Sequence, residues 1–199
     1  MTTYILHGGY ISKMTDAQDT KLRDTVLEKL NSEKPRVAFV PFAGIREVWE
    51  GKFAENAVFM DRLFGDNYES RLTLPDTFRD VCNWANVIFI KGGDDVLLAH
   101  YLNQFEDLTE IFAGKIVIGS SAGADYLSKI FWTCDWRKNM NGRGLVNVAI
   151  IPHFGSDYGG DDPRGAVDWN SAEQELRAAT DLPIYPIQEG EFEIFEVES

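Results

Sequence analysis

The sequence predicts an α/β sandwich on a mostly parallel sheet, in one domain spanning residues 1–199. Three observations carry that prediction. Almost wholly apolar runs at Arg36–Phe42, Val87–Ile90 and Ile116–Ile118 read as strands covered on both faces. Segments with apolar residues at helical spacing separate these runs, the alternation that parallel strands need. Gly-rich turns follow several of the runs, at the strand ends where open α/β sheets place their sites.

In chain order, Tyr4-Ile5-Leu6 begins a strand that ends at His7-Gly8-Gly9. Thr15 to Gln18 supplies N-cap candidates, and Leu22, Val26, Leu27 and Leu30 follow at helical spacing. Pro35 resets the chain before the Arg36–Phe42 strand. Phe53–Phe64 reads as a buried helix, Ser70–Leu74 as a short strand and Asp76–Ala85 as a helix. After Val87–Ile90, the turn Lys91-Gly92-Gly93-Asp94-Asp95 leads into a helix over Val96–Phe105. Phe131–Gly144, rich in Trp, Asn and Arg, reads as irregular. Val146–Pro152 is a strand ending at His153, and the Gly/Asp-rich Gly155–Gly165 is a loop. A helix over Asn170–Thr180 precedes two short strands, Pro183–Ile187 and Phe192–Val197, around the Glu189-Gly190 turn.

Bulk properties narrow the function classes. At 199 residues with 44% hydrophobic and 13% aromatic content, the chain can bury a substantial core. A net charge of −13 argues against nucleic acid or an anionic membrane as partner. Two cysteines, Cys82 and Cys134, make neither a disulfide framework nor a zinc site. Thr2–Gly8 is too short and lacks the basic leader of a signal sequence. No stretch reaches the roughly 18 apolar residues that span a bilayer. The expectation is a cytoplasmic protein without metal or cofactor.

One stretch organises the rest. Lys115–Ile118 reads as a short buried strand, Gly119-Ser120-Ser121-Ala122-Gly123 matches G-x-S-x-G, and Ala124–Ile130 continues as a helix. A nucleophile elbow needs small residues around its serine because the backbone is strained and closely packed. It lifts the hydroxyl from the sheet edge and turns nearby N–H groups toward a developing oxyanion. The same letters also describe an ordinary Ser/Gly turn between strand and helix.

A serine nucleophile needs a base, and the base an orienting group. His100 lies in an apolar helix and reads as a packed or surface residue. His7 faces the same sheet edge as the elbow. His153, at a strand end before a Gly-containing loop, is the best base candidate. Asp135 is the candidate acid, flanked by Trp132, Cys134 and Trp136, which could desolvate it. Asp125 reads as a first-turn helix carboxylate, and Asp157, Asp161 and Asp162 as a solvated loop, with metal binding the weaker alternative. Gly92-Gly93 gives either a second oxyanion donor or a tight turn capped by Asp94. A phosphate loop is excluded: G-K-[ST] is missing and Asp94 and Asp95 would repel phosphate.

Lys91-Gly92-Gly93-Asp94-Asp95, Gly119-Ser120-Ser121-Ala122-Gly123-Ala124 and Ile151-Pro152-His153-Phe154, in that order, resemble the peptidase E and cyanophycinase family of serine peptidases. The resemblance runs from the first strand to about Gly190. It implies a flavodoxin-like three-layer sandwich related to class I glutamine amidotransferases. It also implies Ser121 as nucleophile, His153 as base and Asp135 as acid, with the Gly93 and Ala122 N–H groups in the oxyanion hole. Pro186-Ile187-Gln188-Glu189-Gly190 resembles a late P-x-x-E-G segment near the pocket, which makes Glu189 a substrate-binding candidate. Asp94-Asp95 stands where the family usually has Asn-Thr. The basic residue for an N-terminal aspartate is sought among Arg137, Arg143, Arg164 and Arg177, with Arg164 and Arg177 carried forward. The implied activity is hydrolysis of dipeptides or short peptides, with N-terminal Asp the leading substrate and a monomer or homodimer the working unit. A catalytically silent binding protein on the same scaffold is the alternative. An esterase of the α/β-hydrolase type fits the elbow, but those enzymes place the acid and histidine after the serine in larger, differently ordered sheets.

Overall fold

The apolar runs lie side by side. In the computed structural model, which describes residues 1–31, 33–158 and 162–198, the first five strands are β1 (Thr2–His7), β2 (Arg36–Val40), β3 (Glu69–Leu72), β4 (Val87–Ile90) and β5 (Ile116–Ser120). The later strands are β6 (Ile130–Thr133), β7 (Lys138–Asn141), β8 (Ala149–Ile151), β9 (Ile184–Pro186) and β10 (Phe192–Val197). The helices are α1 (Asp16–Lys29), α2 (Trp49–Phe64), α3 (Phe78–Trp84), α4 (Asp95–Leu102), α5 (Leu108–Phe112), α6 (Ala122–Leu127) and α7 (Trp169–Ala179).

The main sheet has the order β10-β1-β5-β4-β2-β3. Its inner strands are parallel, and β10 closes the β1 edge antiparallel, with Ile5 opposite Ile194. Alternation along the strands explains why nearly every residue is apolar. Ile5, Val37, Phe39, Val87, Phe89, Ile116 and Ile118 face Leu22 and Val26 of α1 and Phe59, Met60 and Leu63 of α2. Tyr4, Leu6, Ala38, Val40, Ile88, Ile90 and Val117 face the layer of α3 to α6. The result is an α/β sandwich of three layers. Helix α1 starts as its sequence suggests, with a Thr15–Gln18 capping box.

A second sheet, ordered β7-β6-β8-β9, corrects the expectation of irregular chain at Phe131–Gly144. There β6 and β7 form an antiparallel pair with Trp132 opposite Asn139. Trp132 and Ile151 pack with Ala172 and Leu176 of α7, while Phe131 and Ile150 join the main core. The strand β7 is an edge with exposed or half-buried polar residues, so its composition hid its conformation. Helix α5 is likewise an element the sequence pattern did not yield.

Strands β6, β8 and β9 run parallel, so β8 and β9 deliver their C-terminal ends to one place. Ile187 N–H, just past β9, donates at 2.9 Å to the C=O of Ile151, the last residue of β8. Across the junction, His153 N–H donates to Gly8 C=O at 2.9 Å. The second sheet therefore meets the main one at the C-terminal end of β1, beside that of β5. Among the described residues, no helix is long and apolar enough to cross a membrane.

Close backbone approach sets α6 on the sheet. A Cβ on Gly123 would lie 2.4 Å from the Ile90 carbonyl oxygen, and one on Gly119 2.5 Å from the Gly123 backbone. Replacing Gly123 with Ala should therefore destabilise the fold by about 1–3 kcal/mol. Urea denaturation should show a lower midpoint with an unchanged slope.

Candidate active site

Ser121 stands at the turn from β5 into α6, with φ 51° and ψ −116°. That is strained backbone for a residue with a side chain. The turn is held from both sides: Ser121 N–H donates to His7 C=O at 3.0 Å, and Asp125 N–H to Ser121 C=O at 2.9 Å. Small neighbours are required here. A Cβ on Gly92 would fall 2.9 Å from the Ser121 Cβ.

His153 follows β8 and also has positive φ, 58°. Its Nε2 lies 2.9 Å from Ser121 Oγ. Its Nδ1 lies 3.0 Å from Glu189 Oε1, on the segment that leaves β9. A carboxylate only accepts, so Nδ1 carries the proton and Nε2 is left to accept from the serine hydroxyl. Burial lowers the His153 pKa below the ordinary histidine value, while the hydrogen bond and charge of Glu189 oppose that shift. The ring stacks on Tyr158, with centroids 4.2 Å apart, and meets Tyr10 edge-on. Gly9 makes room for it: a Cβ there would lie 2.3 Å from His153 Cε1.

The expected acid lies elsewhere. Asp135 Oδ1 accepts from the Tyr158 hydroxyl at 2.9 Å, and the partner of the imidazole Nδ1 is Glu189. Asp135 lies just past β6, while the β8–β9 pairing carries Glu189 to the imidazole. Glu189, expected as a substrate ligand, stands instead beside the His153 Nδ1. Its signal was the P-x-x-E-G segment directly after a strand that pairs beside the one before His153.

The arginine expectations are also corrected. Arg164 pairs with Asp162 and donates to the Asp135 backbone carbonyl. Arg177 pairs with Glu173 on the exposed side of α7. Arg137 and Arg143 donate to backbone carbonyls. None of the four is among the residues that line the two cavities meeting at Ser121. His7 is fully buried, accepts from Gly9 N–H, and has its pKa lowered to about 4 by desolvation. His100 is exposed and packs edge-on against Tyr101. Asp94 caps α4 by accepting from Leu97 N–H at 2.7 Å. Asp161 lies outside the described residues.

Gly93 has φ 150°, and a Cβ on it would strike the Ala43 carbonyl oxygen at 2.3 Å. The turn is held by Asp94 N–H to Ala43 C=O, so the Gly93 amide is not engaged in that contact. Gly93 and Ser121 line both cavities. One is an open cleft of about 340 Å³ that also includes Tyr10, Lys52, Glu55 and Lys91. The other is a recess of about 10 Å³ lined by Asp95, Asp125, Thr133, Cys134 and Asp135. Chemically, a hydroxyl bonded to a neutral, buried, oriented imidazole can attack a carbonyl carbon.

The profile of peptidase family S51 matches residues 5–196. No curated protein matches the chain. Among solved structures, a peptidase from an acI-B1 Actinobacterium superposes with a TM-score of 0.66 at 22% identity, over 95% of this chain and 81% of that one. A protein described as a peptidase E protein from Listeria monocytogenes EGD-e superposes with a TM-score of 0.59 at 19% identity, over 100% of both chains. At these identities the likeness establishes the shared α/β fold. Because the family profile extends from β1 into β10, the chain belongs to peptidase family S51, a family of serine peptidases.

Proposed function

We propose that the protein hydrolyses dipeptides or short peptides with Ser121 as nucleophile, His153 as base and then acid, and Glu189 as the orienting carboxylate. The observation that carries this reading is the unbroken relay from Ser121 Oγ through both imidazole nitrogens to Glu189, at 2.9 and 3.0 Å. Ser121 Oγ attacks the scissile carbonyl carbon as its proton passes to Nε2. Glu189 stabilises the imidazolium that forms. The Gly93 and Ala122 N–H groups are the donors for the oxyanion, and loss of one such donor costs about 3 kcal/mol. Nε2 then gives its proton to the leaving amine, and water repeats the sequence on the acyl-enzyme.

The open cleft favours a small charged substrate. Lys52 and Lys91 are its basic groups, and burial lowers the Lys91 pKa, with Lys52 adding to the shift. They suit the carboxylate of a dipeptide or the side chain of an N-terminal aspartate. The two cysteines are unpaired and buried, which fits a reducing, cytoplasmic setting.

A dipeptide panel led by Asp-Xaa, with Ser121→Ala and a covalent serine label, tests the reading. Serine-dependent turnover is expected, together with labelling that Ser121→Ala abolishes. A folded protein that neither cleaves nor labels would leave a silent binding protein. Glu189→Gln should lower kcat roughly 10³- to 10⁴-fold, as loss of a triad acid does. Asp135→Asn should lower kcat by less than about tenfold, because it leaves the triad contacts in place. If the two variants rank the other way, the assignment of the acid is wrong.

The pH profile gives a separate check. His153 must be neutral to act as base, so activity falls as pH drops through its pKa. Burial places that acid limb of kcat/KM below the ordinary histidine value. Glu189 raises the pKa, so Glu189→Gln should move the limb to still lower pH while reducing its height.

A further inference from the structure

The recess beside Ser121 is built from carboxylates that the triad does not use. Asp95 and Asp125 are 7% and 3% exposed. Thr133 Oγ1 donates to Asp95 Oδ2 at 2.9 Å, but Asp95 Oδ1 and Asp125 Oδ1 are buried with no hydrogen-bond donor. Both residues line the recess, and two such oxygens packed together are costly unless a proton or a cation lies with them. Asp135 lines the same recess. Desolvation, reinforced by Asp95, raises the Asp125 pKa well above the usual carboxylate range, and desolvation pushes Asp95 up to about 6. Without a ligand, a proton on the pair relieves this clustering.

Size and position narrow the ligand. A cavity of about 10 Å³ admits a group no larger than roughly one water molecule. A primary ammonium fits and a guanidinium does not. Among the described residues, no group of three or more His, Cys, Asp or Glu could hold a metal ion. In a peptide with a free N-terminus, the α-nitrogen lies about 2.5 Å from the first carbonyl carbon. When Ser121 attacks that carbon, the nitrogen must sit close beside Ser121, which itself lines the recess.

We propose that the Asp95–Asp125–Asp135 recess binds a primary ammonium group of the substrate, either the α-ammonium of the N-terminal residue or a lysine side chain. This rests on the peptidase reading of Ser121. It makes the recess a determinant of specificity: it counts the N-terminus or selects lysine, and it repels a substrate carboxylate. An N-terminal aspartate would then keep its ammonium in the recess and direct its carboxylate to the Lys52 and Lys91 cleft.

Calorimetric titration of Ser121→Ala protein, which cannot turn over, tests the recess apart from the chemistry. The probes are Ala-Ala, N-acetyl-Ala-Ala, Lys-Ala and norleucyl-Ala. If the recess holds the α-ammonium, Ala-Ala should bind at least about tenfold more tightly than its acetylated form. If it holds the side chain, Lys-Ala should exceed norleucyl-Ala by at least about tenfold. Either preference should largely vanish in Asp95→Asn/Asp125→Asn, or shrink in Asp95→Asn alone if the double variant does not fold. Equal affinities in both pairs, no binding of any probe, or a preference that survives the substitutions would overturn the proposal. Turnover of the same peptides by the wild type separates the two readings. Serine-dependent cleavage indifferent to the ammonium defeats the recess alone, and ammonium-dependent binding without cleavage defeats the peptidase reading alone.

Discussion

The joint between the two sheets is the constraint on which the site depends. Two backbone hydrogen bonds cross it, His153 N–H to Gly8 C=O and Gly190 N–H to Gly9 C=O, and two more, Phe154 N–H to Ile187 C=O and Ile187 N–H to Ile151 C=O, hold the second sheet's strand ends together there, at 2.9 to 3.2 Å. They fix the ends of β1, β8 and β9 against one another, and Ser121 N–H to His7 C=O ties the end of β5 to the same point. Ser121, His153 and Glu189 therefore come from three separate strand ends and still meet within hydrogen-bond distance. Gly8 and Gly9 are the condition for this. A Cβ on the first would lie 2.1 Å from the Gln188 carbonyl oxygen, and on the second against the imidazole.

Such a joint also places the imidazole in an environment suited to a base. His153 is buried beneath Tyr158 and beside Tyr10, so its charged form is disfavoured. Glu189 compensates by meeting Nδ1, which fixes the ring and its tautomer. Positive φ at both Ser121 and His153 marks where the chain departs from relaxed geometry to make the contact. Local strain at paired functional residues is affordable when a rigid surrounding framework over-determines them.

Charge is divided across Ser121. The open cleft carries Lys91 and a Lys52–Glu55 ion pair, and the recess carries Asp95, Asp125 and Asp135. The short-peptide substrate we propose has opposite charges at its two ends and would meet this polarity. The substitution of Asp94-Asp95 for the usual Asn-Thr gains a physical meaning from the geometry. Asp94 caps α4, while Asp95 turns inward to Thr133 and the recess.

By itself the sequence determined the main sheet, because strands buried on both faces must be continuously apolar, as Val87–Ile90 and Ile116–Ile118 are. It also singled out the Ser121 elbow, because only small residues pack around such a turn, and it favoured His153 by elimination among three histidines. Tertiary structure alone decided the partner of that histidine. Asp135 is nearer in sequence, at 18 residues against 36, but the pairing of β8 with β9 carries Glu189 to Nδ1 while Tyr158 holds Asp135 aside. Only the fold could assemble the acidic recess as well. Asp125 looked like an ordinary first-turn helix carboxylate, and its burial against Asp95 arises from the packing of α4 on α6, which no local pattern records.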